Sequence, residues 1–280
     1  MTEQTVAMVP TTLFVRANRV DQDKYIINEV ITEDTYRLRY MKQKGFEPQT
    51  VVSVGSHIGT FEVLSHALWP NARIISVEPN KETFELLKRN APYSAAYNAA
   101  VSYKEQGILI DGELSSGGSF IATKEEFERI EGYDPSTRRA PEATRKDLFY
   151  HIADTNIRSI TFEELVHTEG LIHIDLLKLD CEGGEWGIME HLPMQGLEIG
   201  YVVGEWHGAG EYSGRDFNTF VKEAKRAFPH LTFHGLKGEN PVPWGPFFSF
   251  PEPTSIISEQ VHSHTPFRKR IKRWLRKKLS

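Results

Sequence analysis

"VVSVGSHIGTFEVL", residues 51–64, places a valine-rich run ahead of two glycines four apart, Gly55 and Gly59, and follows them with apolar residues at helical spacing. Such a stretch reads as a buried strand turning sharply into a helix, the kind of junction at which α/β sheets bind nucleotide-like ligands. Phe61, Leu64 and Leu68 fall on one face of the expected helix over 60–69. Outward from this point the alternation continues. "ARIISV" (72–77) precedes "KETFELLKRN" (81–90), for which Asn80 is the expected N-cap. "IHIDLLKLD" (172–180) precedes "EWGIMEHL" (185–192), and "EIGYVVGEW" (198–206) precedes "GRDFNTFVKEAKRAF" (214–228). Strands alternating with helices predict a parallel sheet covered on both faces. "HLTFHGLKG" and "GPFFSFPEP" then read as a closing antiparallel pair.

The first turn also limits the cofactor. A dinucleotide needs G-x-G-x-x-G, whose middle glycine lets the backbone approach a diphosphate. Here His57 holds that position, which disfavours NAD and FAD. Glu78 ends the second strand, 19 residues after Gly59, where a carboxylate accepts hydrogen bonds from both hydroxyls of a ribose. A ribose without a diphosphate points to S-adenosylmethionine.

With 280 residues and 39% hydrophobic content, the chain can bury one large core. Three divisions are expected: an N-terminal helical extension over 1–49, a main domain over 50–255 and a tail over 256–280. The extension contains one helical run, "KYIINEVITEDTYRLRYMKQKG" (24–45), placed to close an end of the fold. Residues 112–157, rich in Gly, Ser, Pro and charge, read as an inserted lid or acceptor-binding loop. The single cysteine, Cys181, excludes an intrachain disulfide, and the N-terminus lacks a basic region ahead of an apolar core. A cytoplasmic setting is expected.

In order and spacing, "DQDKYIINEVITEDTYRLRY" (21–40), "VVSVGSHIGTF", "ISVEPNKETFELLKRN", "NAAVS" (98–102), "SGGSF" (116–120), "IRSITFEELV" (157–166), "LLKLDCEGGEWGIM" (176–189) and "VVGEWH" (202–207) resemble the FkbM family of S-adenosylmethionine-dependent methyltransferases. The "LKLDCEGGEW" block, similar to that family's K-x-D-x-E-G-x-E, is the most specific. The resemblance implies a Rossmann-like class I methyltransferase fold: an α/β, mostly parallel seven-stranded sheet with helices on both faces and a terminal antiparallel strand. It implies cofactor contacts at Gly55, Ser56, His57 and Gly59, at Glu78 for the ribose, at Asn98 and Ala99 for the adenine, and at Asp180 beside the methionine end. Ser53 departs from the family's usual aspartate, which bears on how the first loop is braced.

Gly55, Glu78, Asp180, Glu182, Glu205 and His207 all belong at the carboxyl ends of expected strands, where ligands of open parallel sheets sit. Methyl transfer from a sulfonium is an in-line displacement with a neutral leaving group. The enzyme therefore supplies alignment, and a base when the acceptor is a hydroxyl. His207 is the first choice of base, its ordinary pKa of about 6.5 suiting a proton acceptor near neutrality, with Asp180 and Glu205 as the other catalytic candidates. Asp180, Glu182, Glu205 and His207 also make a donor set for Mg²⁺ or Mn²⁺, a reading less favoured than the plain base. Glu182 and Glu185 have a plainer use at the positive end of a helix. Cys181 reads as a small buried residue rather than a nucleophile. The aromatics Trp186, Trp206, Tyr212 and Trp244 read mainly as core or rim, and His66, His167 and His191 as surface or packing residues.

Residues 266–280 hold eight of the 33 Lys/Arg and no acid, leaving 25 basic against 38 acidic residues and a net of −13 on the rest. An acidic body disfavours nucleic acid as a partner. In the tail Phe267, Ile271, Trp274, Leu275 and Leu279 recur at helical spacing among the basic residues, a pattern suited to an anionic membrane surface. The expected protein is thus an O-methyltransferase, cytoplasmic or peripheral on the inner face of the membrane, acting on a sugar or glycoconjugate hydroxyl. A polyketide or other small secondary metabolite is the alternative acceptor. A non-catalytic protein that binds through the same fold is the alternative class.

Overall fold

The computed structural model describes residues 12–104, 107–112, 119–126, 150–207, 217–235 and 244–251. The expected tail over 256–280, Tyr212 and most of the insertion over 112–157 lie outside the described residues.

In chain order the main elements are α1 (Val20–Ile27), a π-helical turn (Asn28–Thr32), α2 (Leu38–Gln43), β1 (Thr50–Val54), α3 (Thr60–Leu68), β2 (Arg73–Val77), α4 (Lys81–Asn90), β3 (Ala95–Tyr97), β4 (Ala100–Val101), β5 (Ile108–Gly112), β6 (Phe120–Ala122), β7 (Tyr150–Asp154), β8 (Ser159–Ile160), α5 (Phe162–Thr168), β9 (His173–Leu179), α6 (Gly184–His191), β10 (Glu198–His207), α7 (Phe217–Ala227), β11 (Leu231–Gly235) and β12 (Trp244–Pro251). The principal sheet has the order β11-β12-β10-β9-β1-β2-β3. Five strands, from β10 through β3, run parallel. The closing hairpin extends them, β12 lying antiparallel to both β10 and β11. The antiparallel strand is last in the chain but second from the edge of the sheet. This is the layout of a class I methyltransferase-like α/β fold, and it accounts for the apolar runs: a strand covered on both faces must be apolar on both.

Successive residues on a strand face opposite sides, so the valines of β1 divide between two cores. Val52 and Val54, with Ile75, Leu177 and Val202, pack under Phe162, Trp186 and Phe220 of α5, α6 and α7. On the other face Val51, Ile74, Leu176 and Val203 meet Phe61 and Leu64 of α3 and Val30, Tyr36, Leu38 and Met41 of the N-terminal segment. Local signals behave as the sequence predicts at two helix starts. The Asn80 side chain accepts from the Glu82 and Thr83 N–H groups, and Thr161 with Glu164 forms a capping box ahead of α5.

The N-terminal segment differs from the single helix expected over 24–45. It is α1, a π-turn, and then α2, interrupted where Asp34 (φ 52°) and Arg37 (φ 62°) adopt left-handed conformations. The Asp34 carboxylate ties the break together by accepting from the Leu38 and Arg39 N–H groups at 2.9 and 3.1 Å. Burial raises its pKa to about 6. Tertiary packing of Val30, Tyr36, Leu38 and Met41 against the sheet outweighs helical continuity here.

Within the expected insertion, β6 and β7 pair with β5 in a small antiparallel sheet. That sheet is clamped to the N-terminal segment by Arg19, which donates to Asp111 at 2.6 and 3.2 Å. Among the described residues no helix is long and apolar enough to cross a membrane.

Candidate active site

From β1 the sheet is continued by β2 on one side and β9 on the other, so the chain reverses its order of travel between β1 and β9. Ligands of open α/β sheets bind at such a switch point, beyond the carboxyl ends of the strands. A cleft of about 360 Å³ lies there. Its walls come from the turn after β1 (Gly55, Ser56, His57), the end of β2 (Glu78, Pro79, Asn80), the segment 99–104, the turn after β9 (Asp180 to Gly184), Glu205 of β10 and the N-terminal segment (Arg16, Ile26, Glu29, Val30, Tyr36).

One end is organised by Glu78. Its Oε2 accepts from the His57 N–H at 2.8 Å, and its Oε1 from the Asn80 N–H at 2.9 Å and the Thr83 hydroxyl at 2.8 Å. Burial raises the Glu78 pKa against the effect of those three donors. The carboxyl is held rigid while Oε2 keeps a lone pair, as an expected ribose acceptor requires. Asn98 lies outside the cleft lining, in place of the direct adenine contact expected. Its amide donates to the Glu78 and Pro79 carbonyls at 3.0 and 2.9 Å, bracing the turn that carries Glu78. Ala99 does line the cleft.

The two glycines divide in the same way. Gly55 (φ 81°) lines the cleft, and a Cβ there would sit 1.7 Å from the Asp180 carbonyl oxygen. It is glycine because β1 and β9 exit side by side. Gly59 (φ 89°) is the N-cap of α3 and sits against Leu87, away from the cleft, so its contact is with the protein. Ser56 donates to the Ser53 carbonyl and hydroxyl at 3.3 and 3.2 Å, so in place of an aspartate a pair of serines braces the loop. His57 (φ 50°) turns its ring to Arg16, whose guanidinium lies 2.9 Å from Nε2. Burial and then the Arg16 charge push its pKa down to about 3, so the imidazole is neutral.

The other end is built around Asp180. Its Oδ2 accepts from the Tyr36 hydroxyl at 2.6 Å and lies 3.1 Å from the Lys178 ammonium, which also donates to the Gly55 carbonyl. Burial would raise the Asp180 pKa, but the Lys178 and His207 charges outweigh it and hold the group below its ordinary value. Burial likewise works against the Lys178 charge, and Asp180 and Glu62 more than compensate. Beside this pair stand Glu29, Glu182 and Glu205, all raised first by burial and then by one another or by Asp180; Glu182 reaches about 8.

His207 occupies a different setting from the free base expected. It is buried behind the cleft lining, with Nδ1 3.0 Å from Glu185 and Nε2 3.6 Å from both Glu182 and Glu205. Burial would lower its pKa, yet the Glu182 and Glu185 charges hold it well above the ordinary value. His207 therefore stands as a cation between carboxylates, and the groups facing the cleft are Glu182 and Glu205. Glu185 caps the start of α6, as expected, accepting from the Cys181 and Gly183 N–H groups at 2.7 and 2.8 Å. Of the expected metal set, the fold gathers Asp180 and His207, with Glu185 beside them in place of Glu182 and Glu205. Among the described residues the ligand atoms that cluster, within 4.8 Å, belong to Asp180, Glu185 and His207. Their lone pairs are already engaged by Tyr36, Lys178, two backbone N–H groups and each other.

Cys181 is a passive neighbour, its thiol pushed well up by burial. Trp186 and Trp206 are core residues, and the Trp186 indole donates to the His207 carbonyl at 2.6 Å. His191, expected as a surface or packing residue, lies on the cleft wall stacked on Tyr103 with ring centroids 3.6 Å apart. Glu29, Tyr36, Arg16 and Lys178 are cleft residues that pattern reading missed. Tyr36 and Glu29 lie in "DQDKYIINEVITEDTYRLRY" and Lys178 in "LLKLDCEGGEW", so the resemblance marked their segments without marking their roles.

The geometry suits S-adenosylmethionine: a braced ribose acceptor at one end, and at the other more acids than cations for a ligand bearing sulfonium and ammonium charges. Comparisons with known proteins agree. Residues 53–230 match the methyltransferase FkbM domain. Over 209 residues the chain is 24% identical to methyltransferase sdnD of Sordaria araneosa, covering 67% of this chain and 76% of that one. Similar solved structures include an O-methyltransferase from Bacillus cereus in complex with SAH (8% identity, 85% of this chain and 92% of that chain, TM-score 0.41). A methyltransferase from Geobacter sulfurreducens is another (12% identity, 86% and 90%, TM-score 0.38). At these TM-scores the fold rests on the strand order described above. The chain belongs to the FkbM family and is an S-adenosylmethionine-dependent methyltransferase.

Proposed function

We propose that this FkbM-family methyltransferase methylates a hydroxyl of a sugar or glycoconjugate, with Glu205 as the proton acceptor. The observation that carries the reading is the chain Glu185–His207–Glu205, in which a buried imidazolium 3.6 Å from a cleft-lining carboxylate is itself held 3.0 Å from a second carboxylate. Burial raises the Glu205 pKa and makes it a stronger base than an exposed carboxylate, while the hydrogen bond and charge of His207 work in the opposite direction, toward the ionised form. The bound cofactor supplies an electrophilic methyl group on a positively charged sulfur. Glu205 would take the proton of the acceptor hydroxyl whose oxygen receives that methyl group, the cofactor being released as a neutral thioether. Asp180, fixed by Lys178 and Tyr36, positions the methionine end. A polyhydroxylated ring suits the remaining wall, where Glu182 accepts hydrogen bonds and Tyr103 and Phe120 offer flat apolar faces.

Two arms test this. Calorimetric titration should show S-adenosylmethionine binding that Glu78→Ala weakens at least tenfold, as loss of hydrogen bonds to a charged group predicts. With a panel of methyl glycosides as acceptors, Glu205→Gln should lower turnover by roughly 10²–10⁴-fold and leave cofactor affinity intact. A methyl group found on nitrogen or carbon, or undiminished turnover in Glu205→Gln, would sink the proposal.

A further inference from the structure

Glu29 is only 9% exposed, lines the cleft, and makes no side-chain hydrogen bond or ion pair among the described residues. A buried carboxyl costs free energy unless it is hydrogen-bonded, so an unpartnered one that reaches a cleft points to a ligand. Its backbone is fixed with care. The π-turn closes through the Glu33 N–H donating to the Asn28 carbonyl at 2.8 Å, and the Glu29 carbonyl accepts from the Thr35 hydroxyl at 3.0 Å. Such single π-turns within α-helical segments are frequent at functional sites.

The surroundings say which ligand group is wanted. Asp180 and Glu205 are close enough to Glu29 to raise its proton affinity, and Asp180 raises that of Glu205 as well. Tyr36, on the same N-terminal segment, donates its hydroxyl to Asp180. Lys178 already matches Asp180, and His207 lies beside Glu205 and Glu182. Glu29 has no such cation among the described residues. A ligand group that is positively charged and rich in N–H donors would satisfy it, and the amino-acid end of the family's cofactor carries one.

We propose that Glu29 is a cofactor-binding residue that accepts hydrogen bonds from the α-ammonium group of S-adenosylmethionine, so that the N-terminal segment forms one wall of the cofactor site. The inference rests on the cofactor of the family and is independent of the acceptor and of the atom methylated. Because the ammonium is retained after methyl transfer, Glu29 holds substrate and product cofactor alike.

The test is calorimetric titration of the full chain, wild type, Glu29→Gln and Glu33→Gln, with S-adenosylmethionine, S-adenosylhomocysteine and methylthioadenosine, the last of which has no amino-acid end. Glu29→Gln should weaken both ammonium-bearing ligands by roughly tenfold to a hundredfold, the range for hydrogen bonds to charged groups. Methylthioadenosine should bind Glu29→Gln and the wild type equally. Glu33→Gln, the same charge change at an exposed position next to the turn, should alter none of the three affinities. A second measurement needs no variant: S-adenosylhomocysteine lacking its amino group should bind the wild type at least tenfold more weakly than the parent ligand. Unchanged affinities in Glu29→Gln, a loss confined to S-adenosylmethionine, a loss shared by all three ligands, or equal wild-type binding of the deaminated analogue would each overturn the assignment. Failure of the wild type to bind any of these ligands would overturn the cofactor reading itself, a result distinct from all of these.

Discussion

The two ends of the cleft solve the same problem, a buried carboxyl, in opposite ways. At the ribose end Glu78 is satisfied by donors from its own neighbourhood: two from the N-cap and first turn of α4 that follow it, Asn80 and Thr83, and one from the turn after β1, His57. At the methionine end Glu29, Asp180, Glu182 and Glu205 arrive from three separate segments, and two cations, Lys178 and His207, stand among them. A carboxyl matched by fixed dipoles is in place before the ligand arrives. A group of carboxyls with too few cations would be completed by one, and the proposed contact of Glu29 with the ammonium of S-adenosylmethionine would supply it. On that placement the protein would present a finished surface to the uncharged half of its cofactor and an unfinished one to the charged half.

The sharpest way to break this contrast is to remove one of the two cations at the methionine end. Lys178→Met leaves Asp180 buried without its counter-charge and the Gly55 carbonyl without its donor, and loss of one partner of a buried pair costs about 3–5 kcal/mol. Denaturant unfolding near neutral pH should show a loss of that size. A change below about 1 kcal/mol would mean that Tyr36 and His207 alone suffice to hold Asp180, since that is the worth of an ordinary exposed pair.

A smaller effect separates the two ends by pH. His57 has a folded pKa depressed to about 3 against about 6.5 unfolded. Its contribution to stability is present above about 6.5 and is lost as pH falls toward 3. Glu182 has a folded pKa raised to about 8 against about 4.3 unfolded. Its contribution is present below about 4.3 and is lost as pH rises through 8. His57→Gln should therefore flatten the acid side of the stability profile and Glu182→Gln the alkaline side. If each substitution altered the opposite limb, the protonation states described for the two ends would be wrong.

The smallest effect probes the bracing of the finished end. Asn98→Ala removes two hydrogen bonds to the Glu78–Pro79 backbone at 3.0 and 2.9 Å, each worth about 1 kcal/mol. Stability should fall by about that much per bond. Affinity for S-adenosylmethionine should fall less than in Glu78→Ala, because the ribose acceptor is loosened rather than removed. A loss equal to that of Glu78→Ala would make Asn98 a direct contact after all.

What the sequence by itself determined is the part of the molecule written in short-range patterns. Alternating strands and helices, the Asn80 cap, the position of Glu78 at a strand end and the glycine at 55 all follow from residues a few places apart, because strand burial, capping and turn geometry are local interactions. Resemblance added the family, and with it the cofactor. Tertiary structure alone decided the break in the N-terminal helix, the removal of Gly59 and Asn98 from the cleft wall to its support, the charge on His207, and the meeting of Glu29 and Tyr36 with Asp180 across 151 and 144 positions of sequence. Those outcomes depend on which charges and apolar faces meet after the chain has folded. Electrostatic energy is set by distance in space and by exclusion of water, and neither quantity can be read along a chain.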